Sequence, residues 1–176
     1  AGSSWPEDEA LLIPYFNAHP DLKLILAPHE IHEAHLAAIE ARLTRPALRL
    51  SRADANTAAS VDCLIVDSFG LLSSIYRYAR IAYIGGGFGH GIHNAPEAAV
   101  YAVPVLFGPN HRKFREALAL IACGGAFSIT DASTLSARLD ALLADPDACT
   151  AAGESAGAYI QQHSGATEQI LHSIGL

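Results

Sequence analysis

Short apolar runs punctuate this chain at regular intervals, and longer mixed segments separate them. The runs are Leu22–Ala27, Leu48–Leu50, Val61–Val66, Ile81–Ile84, Val103–Phe107 and Ala126–Ile129. Each is too short for a helix and long enough for a strand, and most are apolar without alternation, as strands buried on both faces are. Leu48–Leu50 sits in a stretch of Arg, Thr, Pro and Ser and reads as an edge strand. Between the runs lie helical segments with polar starts. The spacing predicts a helix ending near Ala18, one from Phe69 to about Tyr78 behind Asp67-Ser68, and one from near Lys113 to Gly124-Gly125. A further helix runs from Thr130-Asp131 to about Ala144, and the tail from Ala148 holds one or two more, broken near Ser164-Gly165. Ala1 to Glu9 reads as a loop leaving a strand, with Ser4 and Glu7 fitting a capping box and Pro6 in the first turn. Strands alternating with helices predict an α/β fold, a Rossmann-like parallel sheet with helices on both faces, in a single domain over residues 1–176.

Ligands of such sheets bind beyond the carboxyl ends of the strands. Those ends are Gly2–Trp5, Pro28-His29, Asp67–Gly70, Gly85–Glu97 and Gly108–Lys113. The densest is Gly85-Gly86-Gly87-Phe88-Gly89-His90-Gly91-Ile92-His93-Asn94-Ala95-Pro96-Glu97. Glycines at a strand end let backbone N–H groups approach a ligand, and a helix start beyond them favours negative charge. An anionic, phosphate-bearing ligand is the expectation. The glycine spacing fits neither the dinucleotide fingerprint nor the P-loop: from Gly85 the sixth place is His90, and Gly91 is followed by Ile92-His93 instead of Lys-Ser/Thr.

Composition narrows the classes. The net charge is −7 with His neutral, and Lys23 and Lys113 are far apart, so no basic stripe for nucleic acid is expected. Cys63, Cys123 and Cys149 are scattered and odd in number, which points to a reducing compartment. No apolar run reaches membrane-spanning length and no signal peptide opens the chain.

Individual residues keep alternatives open. Ser3 and Ser4 are helix-cap residues or hold an anion. His29, His32 and His35 do not match the His-Glu-x-x-His zinc motif, and their spacing swings around a helix; no metal site is expected, and His29 is singled out by its place at a strand end. Gly70 inside a helix implies close packing or a close approach by a ligand. Asn94 and Glu97 form a capping box, or else Asn94 contacts a phosphate or base and Glu97 grips a ribose diol. Arg112, Lys113 and Arg115 are solvated helix charges or add positive potential, and His90, His93 and His111 could reach an anion.

Together, Gly85-Gly86-Gly87, His90 to Ala99, Pro104 to Asn110 and Phe114-Arg115-Glu116-Ala117 resemble the C-terminal half of 3-deoxy-D-manno-octulosonic acid (Kdo) transferases, the lipid A glycosyltransferases of Gram-negative bacteria. Gly2 to Glu9, Ala27-Pro28-His29-Glu30 and Asp67 to Leu72 match in the same order, so the resemblance covers nearly the whole chain. It implies a GT-B glycosyltransferase, with two Rossmann-like domains across a cleft, of which this chain is the C-terminal, CMP-Kdo binding domain; the N-terminal acceptor domain, with the catalytic carboxylate, is absent. It implies donor contacts at Pro28 and His29, at Phe69, Gly70 and Leu71, and at Asn94, Ala95, Pro96 and Glu97, with Ser3 and Ser4 facing the donor phosphate or sugar and Gly86 and Gly87 in the glycine loop. No catalytic residue and no cofactor are expected on this chain. Two positions depart from the family: His29 stands where many members have Arg, and Leu71 follows Gly70 where many have Glu, so only backbone contacts carry over at Phe69–Leu71.

The implied reaction is inverting transfer of Kdo from CMP-Kdo to a lipid A precursor, lipid IV-A. It implies a full-length protein at the cytoplasmic face of the inner membrane, held there through the N-terminal part, with this domain soluble and free of nucleic acid. The other readings are the donor domain of a GT-B enzyme using a UDP-sugar, a non-catalytic nucleotide-sugar binding module and, against the missing fingerprint, a nicotinamide oxidoreductase.

Overall fold

A computed structural model describes residues 1–164. The elements, in order, are β1 (Gly2–Ser4), α1 (Pro6–Ala18), β2 (Leu24–Pro28), α2 (Glu33–Arg42), β3 (Ala47–Arg49), α3 (Ala55–Ser60), β4 (Cys63–Ile65), α4 (Leu72–Ile75), β5 (Ala82–Ile84), α5 (Pro96–Ala99), β6 (Val105–Phe107), α6 (Arg115–Ala122), β7 (Ala126–Ser128), α7 (Ala132–Ala144) and α8 (Pro146–His163). They form a seven-stranded sheet in the order β3-β4-β2-β1-β5-β6-β7, and every pairing is parallel. Each apolar run became a strand, and Leu48 lies on the edge strand β3 as expected.

Strand period explains why the runs do not alternate. Ala82, Ile84, Val105 and Phe107 enter one core layer with Leu120 of α6 and Ala156 of α8. Their neighbours Tyr83 and Leu106 enter the opposite layer with Leu12 of α1 and Leu135 and Leu142 of α7. A third cluster packs Ile13 and Phe16 of α1 and Ile39 of α2 against Leu26 and Ile65. Both faces of the sheet are covered, so both sets of side chains must be apolar.

The caps sort into those the sequence anticipates and those it does not. Asp131 caps α7, its carboxylate accepting the Thr134 N–H at 2.8 Å. Asp145 ends α7 and caps α8, which stops at His163 before Ser164; residues from Gly165 on lie outside the described residues. At α1 the expected Ser4–Glu7 box is displaced by one residue. Ser4 is still in β1 and buried, so Trp5 is the N-cap, and the Asp8 carboxylate accepts the Trp5 N–H at 2.9 Å. The helix expected from Phe69 shrinks to α4 and a following turn, because Asp67 points back to Ser51 and accepts both its N–H and its hydroxyl. Gly70 therefore precedes the helix, at φ +85°, and nothing lies within 4 Å of where its Cβ would be. Backbone conformation requires glycine there, not packing.

The cysteines of the described residues are free thiols. No helix among the described residues is long and apolar enough to cross a membrane.

Candidate functional site at the switch of strand order

In this sheet β1 lies between β2 and β5: the chain builds outward from β1 through β2 to β3 and β4 on one side, then crosses from β4 to β5 and builds outward on the other. The crevice at the carboxyl end of that switch is where doubly wound sheets take ligands. The loops after β1, β2 and β5 all open there.

Trp5 stands at its centre. Its indole stacks on His29 at 4.5 Å between ring centroids and 22° between planes. His93 lies 4.6 Å beyond His29, and His90 lies 5.3 Å from Trp5 on another side. The indole N–H donates to His93 Nε2 at 3.3 Å. The loop after β2 is itself tied to β1 by the His29 amide, which donates to the Ser4 carbonyl at 2.9 Å. Burial, and then the neighbouring His29, hold the His93 imidazole below its ordinary pKa of 6.5. An anion entering this cluster meets imidazole ring N–H groups that can donate to it.

The glycine loop works differently from the sequence expectation. The Gly85 amide donates to the Gly2 carbonyl at 2.9 Å, and the Gly86 amide to Asp8 Oδ2 at 2.8 Å. The amides of Gly89 and Gly91 both turn back onto the Gly86 carbonyl. Gly85 and Gly87 are there for close backbone packing. A Cβ on Gly85 would sit 2.1 Å from the Ser3 carbonyl oxygen, and one on Gly87 would sit 2.5 Å from the Gly108 nitrogen. Gly86 and Gly87 are buried, and the Gly86 amide is already committed to Asp8. Gly86, at φ +89°, and Gly91, at φ +115°, turn the loop over itself.

Asp8 holds this arrangement. It is wholly buried, and besides the Trp5 and Gly86 amides it accepts the Tyr83 hydroxyl at 2.7 Å. Burial and this carboxylate push the Tyr83 phenol far above its usual range, so it stays a donor. Asp8 and Glu9 also lie in the first turn of α1, where the helix dipole favours negative charge. The positive end of α1 is thus already answered by the protein's own acids.

The remaining predicted residues fall at the same end of the sheet with different roles open to them. Ser3 is half-buried and takes φ +51°, a left-handed conformation that costs energy outside glycine. The hydroxyl of Ser4 is committed inward, donating to Glu9 Oε1 at 2.9 Å, so it does not face a ligand. Pro28 is buried beneath His29, which is exposed. Phe69 and Leu71 are exposed at the rim, by 77% and 41%. Leu72 and Tyr76, just beyond, close over Gly2.

Asn94 and Glu97 do not make the expected capping box. The N-cap of α5 is Ala95, and the Asn94 side-chain amide donates to Glu97 Oε1 at 2.9 Å, side chain to side chain. Ala95 is buried in the core, while Asn94 is exposed and Glu97 half-buried. A hollow of about 300 Å³ lined by Ile92, His93, Asn94, Ala95, Pro96 and Phe114 adjoins them. His111 is turned away, its Nδ1 facing the Gly108 carbonyl and Ser128, and Arg112, Lys113 and Arg115 are exposed.

Sequence reasoning missed Trp5 and Asp8. Asp8 reads as an ordinary first-turn acid, and nothing in the chain order announces its partners 75 and 78 residues away. The one available signal was Trp5 as the chain's single tryptophan at a strand end.

No family model matches the chain. It is similar to the 3-deoxy-D-manno-octulosonic acid transferase of Bordetella pertussis, with 31% identity over 162 residues, 89% of this chain and 37% of that protein. The enzyme of the same name from Rickettsia typhi is 29% identical over 181 residues, covering 98% of this chain and 39% of its own length. The chain thus spans less than half the length of these curated relatives. Its fold matches the crystal structure of the C-terminal CMP-Kdo binding domain of WaaA from Acinetobacter baumannii, with a TM-score of 0.78 and 25% identity over 92% of this chain and 87% of that one.

Proposed function

We infer that this chain, a homologue in sequence and fold of Kdo transferases and of their CMP-Kdo binding domain, is the donor-binding domain of such an enzyme. The whole enzyme is an inverting GT-B glycosyltransferase that moves Kdo from CMP-Kdo to a lipid A precursor, lipid IV-A. It works at the cytoplasmic face of the inner membrane, reached through the N-terminal part. The observation that carries this reading is the switch-point crevice, where His29 meets His93, and His93 lines a hollow with Asn94, whose side-chain amide holds Glu97.

The roles follow from chemistry. Glu97 accepts hydrogen bonds from the ribose hydroxyls, two charge-assisted bonds to a vicinal diol, and Asn94, held at its side, contacts the phosphate or the base. The phosphate lies toward the imidazoles of His29, His90 and His93, whose ring N–H groups donate to its oxygens where an arginine at position 29 would offer a fixed charge. Phe69, Gly70 and Leu71 meet the base through their backbone, and Pro96 borders the same hollow. Ser3 meets the donor's phosphate or sugar.

In the transfer step, a carboxylate of the acceptor domain takes the proton of an acceptor hydroxyl. The oxygen bonds to the anomeric carbon of Kdo as the bond from that carbon to the phosphate oxygen breaks, and CMP departs with the electron pair. This domain's share is to orient the donor and stabilise the negative charge arriving on the phosphate.

The test is a transfer assay with CMP-Kdo and lipid IV-A. This chain alone transfers nothing, and fusion to the N-terminal domain of a Kdo transferase restores product. Product from the chain alone, or none from a folded fusion that binds CMP, refutes the assignment.

A further inference from the structure

A second constellation lies where β2 leaves the sheet. Glu30, His32 and His35 each place a ligand-type atom within 4.8 Å of the others. Their spacing argues against a metal motif only if all of them ride on a helix. They do not: α2 begins at Glu33 with His32 as its extended N-cap, so Glu30 and His32 precede the helix whose first turn carries His35. His32 Nε2 lies 3.3 Å from Glu30 Oε2, and the His32 and His35 rings meet edge-on at 5.7 Å.

A buried carboxylate beneath them adds an independent observation. His35 Nε2 lies 3.0 Å from both oxygens of Glu9, and the two side chains are exposed by only 8% and 2%. A carboxylate in that position takes the Nε2 proton as its hydrogen bond and leaves the lone pair on Nδ1. Metal-binding imidazoles are oriented by the same carboxylate–histidine pairing. Ser4 also donates to Glu9, so a chain of hydrogen bonds joins this cluster to β1 and the donor crevice.

We propose that Glu30, His32 and His35 bind a borderline divalent transition-metal ion of the Zn²⁺ class, with Glu9 as the outer partner that fixes His35. Two imidazole nitrogens and one carboxylate suit Zn²⁺, Co²⁺ or Ni²⁺ and not Ca²⁺ or Mg²⁺, which prefer all-oxygen surroundings. Three protein ligands leave one tetrahedral position for water. Binding has one local cost. His32 Nδ1 accepts the His35 amide at 3.2 Å, and coordination through Nε2 protonates Nδ1 and ends that bond. The amide keeps its bond to the His32 carbonyl at 3.0 Å. A bound ion pins the segment after β2, and with it His29.

The experiment is a Zn²⁺ titration of this chain, stripped of metal, without a polyhistidine tag and carrying Cys123→Ser to remove the exposed thiol. It is followed by histidine side-chain ¹H–¹⁵N spectra and repeated with Co²⁺ for its visible absorption. The expected result is that the first equivalent of Zn²⁺ moves the His32 and His35 imidazoles and leaves His35 as the Nε2–H tautomer bound through Nδ1. His32→Ala and Glu30→Gln, both at exposed positions, each weaken binding about tenfold or more, and Glu9→Gln weakens it about 10- to 100-fold. Because Glu9→Gln disturbs a buried pair, the two surface variants decide the matter. Zn²⁺ affinity unchanged in both of them, or first-equivalent shifts confined to other histidines, overturns the proposal.

Discussion

The Asp8 carboxylate accepts the Gly86 amide at 2.8 Å and so fastens the glycine loop after β5 to the first turn of α1. Around that bond the crevice is assembled: the same side chain takes the Trp5 amide, which positions the indole, and the Tyr83 hydroxyl from the strand beneath.

Asp8→Asn leaves part of this set unmet, since an amide cannot accept at both ends. A buried donor left unsatisfied costs about 1–3 kcal/mol. The variant is therefore expected to lose about 1–3 kcal/mol in urea unfolding, with the Gly86 amide losing its protection from hydrogen exchange. Unchanged stability with normal Gly86 protection contradicts the anchoring role.

The glycines separate into those that pack and those that do not. Gly87→Ala drives a Cβ into the Gly108 backbone, whereas at Gly89 nothing lies within 4 Å of an added Cβ. Gly87→Ala is expected to cost about 2–3 kcal/mol, and Gly89→Ala to stay within about 0.5 kcal/mol. Thermal unfolding of the two variants checks the contrast; equal effects remove the packing account.

His93 gives opposite pH signatures with and without ligand. Its folded pKa lies below the ordinary 6.5 because of burial and His29. In the free domain its contribution to stability is complete above pH 6.5 and is lost as pH falls through the folded pKa, because the unfolded state binds the proton first. A bound phosphate raises that pKa, so CMP binding takes up a proton and its affinity rises as pH falls toward this window. Calorimetry in buffers of different ionisation enthalpy measures the uptake, and the difference between wild type and His93→Gln cancels the titration of the phosphate itself. Equal uptake by both proteins removes His93 from the phosphate site.

Much of the architecture was legible because it is written locally. Ile81–Ile84 and Val103–Phe107 are apolar at every position, which a strand covered on both faces demands, and Asp131 stands at the helix start it caps. Relations across the sequence were not legible. Asp67 reads as a cap for the residues after it and serves Ser51 before it. Gly70 and Gly87 are the same letter, yet one needs a positive φ and the other a missing side chain. The loops singled out do gather at the carboxyl end of the sheet, but spacing alone could not tell that Asn94 meets the Glu97 carboxylate instead of capping a backbone. Nor could it tell that His29, His90 and His93 gather about Trp5.

The central claim is that this crevice binds a cytidine nucleotide, with Glu97 on the ribose. Titrating CMP and UMP into the domain, and into Glu97→Gln, tests it most directly. The account predicts that CMP binds more tightly than UMP and shifts amides flanking Pro28, at Gly70 and from Gly85 to Glu97. It also predicts that Glu97→Gln loses roughly 10- to 100-fold in CMP affinity, the worth of a charge-assisted hydrogen bond, while its unfolding midpoint stays near that of wild type. UMP binding as tightly as CMP, or Glu97→Gln binding CMP unchanged, contradicts it.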